Sequence, residues 1–170
     1  MIFLTVGTQL PFDRLVRTID DWAGTHPEAA GQLFGQIAEP GPDGYRPRHF
    51  EWVPFLAPAE HRARFETADL ILSHAGMGSI ITALDLGKPI VIFARRAHLS
   101  EQRNDHQAAT VERFRQRPGV HAAADETELR SRLDHLTQAG GASAGGQALA
   151  PFADDSLIAA IRGVIQGEGR

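Results

Sequence analysis

Short runs of apolar residues, each followed by a helix-spaced stretch, constrain this chain more than any other feature. "IFLTV" (2–6), "DLILS" (69–73) and "PIVIFA" (89–94) are apolar almost throughout. A strand with one wet face alternates, so continuous apolar runs of this length predict strands covered on both faces. Between them lie stretches with helical periodicity: 12–23 behind Pro11, 58–68, 79–87 closed by Gly87, 103–117 ending before Pro118, and 126–136. "QLFGQIA" (32–38), interrupted by Gly35, "HFEWVPFL" (49–56) and "GVHAAA" (119–124) supply further strands, and Pro54 places 49–56 at a sheet edge or a strand end. The alternation predicts an α/β fold: a Rossmann-like parallel sheet with helices on both faces. It reads as one domain over 1–170, with a small-residue loop at 139–150 and an amphipathic C-terminal helix at 151–166.

In such sheets ligands bind beyond the carboxyl ends of the strands. Three stretches fall there: Gly7-Thr8, the run from His74 to Ser79, and the run from Arg95 to Gln107. The second, "SHAGMGSIITALDLGKP" (73–89), places two glycines and a serine between a strand and a helix. Gly76 and Gly78 allow backbone angles and close approach that a side chain forbids. A helix start near Ser79 offers unpaired N–H groups and partial positive charge, which together make a phosphate cradle. His74 stands at its mouth, neutral or charged near pH 7, able to donate to a phosphate oxygen. A tight turn with Ser79 as an ordinary helix cap fits the same letters.

Composition narrows the function classes. The chain has 170 residues and no cysteine, so disulfides and thiolate metal sites are excluded. A net charge of −4 argues against general nucleic-acid binding. Lys88 is the one lysine, and arginine, whose forked donors suit phosphate and carboxylate, supplies the rest of the positive charge. The start lacks the pattern of a signal peptide, and no run reaches the ~20 apolar residues of a membrane span. A cytoplasmic protein is expected, with any membrane contact peripheral or through a partner.

"HAGMGSIITALDLGKPIVIF", "EQRNDHQ" and "FLTVGTQLPFDRLV" together resemble the glycosyltransferase family 28 C-terminal domain. The similarity extends to PssE-type small catalytic subunits of two-chain glycosyltransferases. The resemblance implies the donor-binding half of a GT-B fold. UDP-sugar would be substrate, with no cofactor. A membrane-anchored partner chain would bind a lipid-linked saccharide acceptor and carry the general base. Transfer would invert the anomeric carbon, in exopolysaccharide or glycan assembly.

By the same resemblance His74 contacts the diphosphate and stabilises it as it leaves, while Gly7, Thr8, Gly76, Gly78 and Ser79 surround the phosphates. The segment of Val53 and Phe55 holds the uracil, with Trp52 either stacked on it or part of the core. Thr82 stands where many members carry a ribose-binding acid. Glu101, Asn104, Asp105, His106 and Gln107 grip the donor sugar, or else form a solvated loop with a helix cap. Arg95, Arg96 and Arg103 reach the diphosphate or a donor carboxylate, or are solvated. His98, Glu101, Asp105 and His106 are metal-competent by type, but their spacing fits no standard site, so no metal is expected. The C-terminal helix either docks the partner or closes its own sheet. A non-catalytic nucleotide-binding module is the alternative. An NAD-linked enzyme would need G-x-G-x-x-G after the first strand, where the sequence reads "VGTQLPFD".

Overall fold

The computed structural model describes residues 1–138. The loop and the helix expected at 139–150 and 151–166 lie outside the described residues. Six strands form one parallel sheet: β1 (Ile2–Thr5), β2 (Leu33–Gln36), β3 (Glu51–Val53), β4 (Leu70–His74), β5 (Ile90–Phe93) and β6 (Val120–Ala123). Their order across the sheet is β3-β2-β1-β4-β5-β6. The chain builds outward from β1 to one edge, returns to the other side of β1, and builds outward again. The reversal lies between β1 and β4, with Thr5 beside Ser73. At such a switch point the connections leave in opposite directions and open a crevice.

Helices cover both faces. Residues α1 (Asp13–Thr25) and α6 (Glu126–Thr137) bury Leu15, Ile19, Trp22, Leu129 and Leu133 against Ile2 and Leu4 of β1. On the other face α3 (Pro58–Thr67) and α4 (Met77–Asp85) bury Phe65, Ile80 and Leu84 against Phe3, Ile71 and Ile90. Side chains i and i+1 of a strand point to opposite faces, so the continuous apolar runs feed two cores at once. The remaining helices are α2 (Pro27–Ala30) and α5 (His106–Phe114), with a short 3-10 turn at Ala97–Leu99.

Several expectations are refined. Gly35 does not interrupt β2, because a side chain there would meet the Phe50 ring; the glycine makes room for it. Strand β3 spans 51–53, inside the expected 49–56, and lies at the sheet edge as Pro54 requires. Helix α5 begins at His106 instead of 103, since the chain from Arg95 to Asp105 is tied down by side-chain bonds. Helix α4 begins at Met77, two residues before the expected 79. Ser79 is therefore inside the helix, and Gly76 is the capping residue.

Candidate donor site

A cavity of about 1120 Å³ opens over the carboxyl ends of β1 and β4. Its floor is His74. The imidazole is wedged between two glycines: a Cβ on Gly7 would stand 2.9 Å from His74 Cε1, and a Cβ on Gly76 would overlap His74 Nε2. Gly7 also has φ of +81°, which favours glycine independently. Gly76 and Gly78 do not have positive φ, so the expectation of unusual backbone angles there is corrected. Gly76 is needed for ring clearance. At Gly78 a Cβ would meet nothing within 4 Å, so that backbone faces open space.

Gly76 has no side chain to cap α4, and its own N–H turns back to the His74 carbonyl at 2.7 Å. The first N–H groups of α4 thus face the cavity with no capping oxygen, at the positive end of the helix. The opposite wall is equally fixed. The Gly7 N–H donates to Thr5 Oγ1 at 3.3 Å, and the Gln36 amide donates to the Gly7 carbonyl at 2.9 Å.

Arg95 governs the electrostatics. It is 4% exposed, and its guanidinium donates to the carbonyls of Val6 (3.1 Å), Leu10 (2.6 Å) and Pro11 (2.6 Å). It also lies over the Phe12 ring at 4.5 Å. One side chain from the end of β5 thereby shapes the whole loop after β1. Burial lowers its pKa to about 10, which leaves it charged at neutral pH. Burial first, and the Arg95 charge second, push His74 down to about 4. Near pH 7 His74 is therefore a neutral ring with a single N–H, which has the Thr5 backbone as a hydrogen-bond partner.

A model of the glycosyltransferase family 28 C-terminal domain matches residues 1–144. The chain belongs to this family. Among solved structures, the family 28 domain is similar to ALG13, determined by NMR. The TM-score is 0.57 at 18% identity, over 94% of this chain and 93% of that one. It is also similar to the glycotransferase of kitacinnamycin, with TM-score 0.55 and 20% identity, over 84% of this chain and 36% of that one. CalG4, the calicheamicin glycosyltransferase, aligns with TM-score 0.53 and 15% identity, over 99% of this chain and 44% of that one. At these identities the likeness establishes the fold, that of the C-terminal domain of GT-B enzymes. The chain spans less than half the length of the latter two proteins. The search of curated proteins finds no match.

The family 28 domain gathers Gly7, Thr8, His74, Gly76, Gly78, Ser79 and Thr82 around the cavity. Arg103, Asn104, His106 and Gln107 reach it from the segment after β5. Other expected residues stand elsewhere. Glu101 turns away: its carboxylate takes Arg14 Nε at 2.7 Å, Arg14 Nη2 at 2.9 Å and the Arg96 N–H at 2.8 Å. Arg96 binds the Ala124 carbonyl at 2.6 Å and does not line the cavity. Asp105 accepts from the Ala97 N–H at 3.0 Å, and Gln107 is 8% exposed, its Oε1 accepting the Arg95 N–H. Val53 and Phe55 do not line the cavity either. The Val53 carbonyl accepts the Ile37 N–H, Phe55 is exposed, and Trp52 packs on the core. Thr82 bonds the Gly78 carbonyl at 2.8 Å. Among the described residues no group of three His, Asp or Glu side chains is arranged to hold a metal ion. None of their helices is long and apolar enough to cross a membrane.

Sequence reasoning missed His61 and Gln102, which also line the cavity. His61 Nε2 lies 3.5 Å from Thr5 Oγ1, with its ring edge-on to Phe3. The available signal was its spacing of four from the buried Phe65, which puts both on the inward face of α3.

Proposed function

We propose that this domain binds the UDP-sugar donor of a glycosyltransferase and acts with a membrane-anchored partner that binds a lipid-linked acceptor. The observation that carries the proposal is the wedge of His74 between Gly7 and Gly76, directly below the uncapped start of α4. Each element there is a hydrogen-bond donor or a positive field, and none is an anion. In the proposed reaction the acceptor hydroxyl attacks the anomeric carbon, the bond to the β-phosphate oxygen breaks, and configuration inverts. Negative charge builds on the departing diphosphate, where the α4 N–H groups meet it and the buried Arg95 charge lies beneath. An anion at this position raises the His74 pKa and draws it toward the charged form. The general base lies on the partner chain.

One observation supports a partner. Of the large apolar side chains exposed among the described residues, Leu10 and Met77 line the cavity, while Phe55 follows β3 and Leu99 follows β5. Exposed apolar side chains at the rim of a cavity favour a docking face there. The role in exopolysaccharide or glycan assembly and the peripheral cytoplasmic location belong to the same proposal. If the donor carries a carboxylate, Arg103 is placed to meet it, since it lines the cavity and is exposed, whereas Arg95 and Arg96 are committed to carbonyls.

Calorimetric titration with UDP tests the proposal. Saturable binding that His74→Ala weakens supports it, and an absence of heat up to millimolar UDP overturns it. A non-catalytic nucleotide-binding module draws support from Thr82, whose hydroxyl is spent within α4. A sugar-transfer assay in membranes containing the partner separates the two.

A further inference from the structure

We infer that Arg14, which does not line the donor cavity, sets how tightly the sugar half of the donor is held, as a positioning residue acting through Glu101. The inference rests on the donor-binding reading above. From Ala94 to Asp105 the chain has no regular element but the 3-10 turn. Arginines tie this stretch to the rest of the protein at three points. Arg95 donates to carbonyls of the loop after β1, and Arg96 donates to the Ala124 carbonyl. Arg14, from α1, supplies the third tie and meets the stretch in its middle.

The Arg14 guanidinium faces the Glu101 carboxylate edge to edge, with Nε 2.7 Å from one oxygen and Nη2 2.9 Å from the other. It also donates to the Ala94 carbonyl at 2.7 Å and to Glu126 on α6 at 3.4 Å, and it lies over the Phe93 ring at 4.2 Å. One side chain of α1 thus joins the end of β5, the stretch beyond it and α6. Glu101 in turn closes the stretch on itself. Its carboxylate takes the Arg96 N–H at 2.8 Å, and its own N–H meets the Arg96 carbonyl at 3.3 Å. Both side chains of the pair are 13% exposed, so the forked contact holds one geometry with little competition from water.

Glu101 and the residues after it face opposite ways. Arg14, Glu101 and Glu126 line a second cavity, of about 640 Å³, while Gln102, Arg103 and Asn104 line the donor cavity. The stretch is a wall between two cavities, fixed from behind and presenting side chains in front. Those three residues hang between Glu101 and Asp105, and Asp105 reaches only Ala97, within the same stretch. The diphosphate end of the donor cavity is built by other elements, α4 and the Gly7 turn. Freeing Glu101 therefore loosens contacts to the sugar and spares those to the phosphates.

The test uses the full chain with Arg14→Met, Glu101→Gln and the double variant. Each is titrated with UDP, UDP-glucose and UDP-N-acetylglucosamine, and its thermal unfolding is followed without nucleotide. The readout is the ratio of UDP-sugar affinity to UDP affinity, which a general loss of structure leaves unmoved. Arg14→Met is expected to lower that ratio about tenfold for the better-bound sugar nucleotide. It also leaves the Glu101 charge without its partner and lowers the unfolding temperature. In the double variant that charge is gone, so the unfolding temperature should recover in part while the ratio stays low. A ratio that recovers together with the unfolding temperature marks a purely structural side chain and overturns the inference. So does a double-variant loss equal to the product of the two single losses, because Arg14 would then act independently of Glu101. Glu101→Gln, which keeps the shape but loses the charge, should lower the ratio in the same direction. A wild-type ratio there overturns the inference even if Arg14→Met does not fold. Each of these outcomes leaves the donor site standing. If the wild type binds none of the three, the donor-binding reading fails and this inference fails with it.

Discussion

The His74 imidazole occupies the space in which a Gly76 side chain would stand. Ring and glycine therefore depend on one another, and the pair sets the height of the cavity floor. Gly76→Ala must push the ring aside or shift the start of α4. It is expected to cost about 1–3 kcal/mol in urea denaturation and to abolish tight UDP binding. Full stability with unchanged affinity would show that the ring has room to move.

Gly78 provides the opposite case. It lies in the first turn of α4 with nothing where a Cβ would stand. Gly78→Ala should therefore hold or raise stability, by about 0.4–1 kcal/mol, because alanine lowers the entropy of the unfolded chain. The new methyl group projects toward the cavity, so UDP affinity should fall about tenfold. Unchanged affinity would remove the phosphates from this turn.

Arg95 is expected to matter for folding before it matters for binding. Arg95→Met strands the carbonyls of Val6, Leu10 and Pro11 and should cost about 3 kcal/mol or more. Arg95→Lys should recover little, since an ammonium does not reproduce the forked geometry. A loss under about 1 kcal/mol for either variant would contradict the clamp.

Acid should weaken the fold through His74. In the unfolded chain the ring titrates near its ordinary 6.5, and in the native state near 4. Between those values the unfolded state holds more protons, so stability is full above pH 6.5 and falls as pH drops toward 4. Burial lowers His61 and His121 as well, and they add in the same direction. Urea midpoints measured from pH 7.5 to 4 should fall less steeply in His74→Gln than in wild type. Identical slopes would assign the acid sensitivity to other groups.

The strands were legible because burial on both faces leaves continuous apolar runs, and "DLILS" and "PIVIFA" fall on β4 and β5. The start of α4 was misread by two residues. Glycine disfavours helix interiors, so Met77-Gly78 looked like loop, yet Gly78 sits where helical order costs little beyond propensity. The glycine loop and His74 were legible as a site, but the reason for Gly76 was not, since its clash is with a ring and not with a ligand. Arg95 and Glu101 were unreadable for a different reason. A charged residue after a strand looks the same whether it meets a ligand or the scaffold. The partners that decide it, Leu10 and Arg14, lie 85 and 87 residues away in the chain.

The segment after β5 divides its labour residue by residue. Arg95, Glu101 and Asp105 spend their polar groups on main-chain and side-chain anchors, whereas Gln102, Arg103, Asn104 and His106 face the cavity. Mutations at the second set can retune which molecule is welcomed without loosening the frame that presents them. A library confined to those four positions would sample new chemistry on an unchanged chassis.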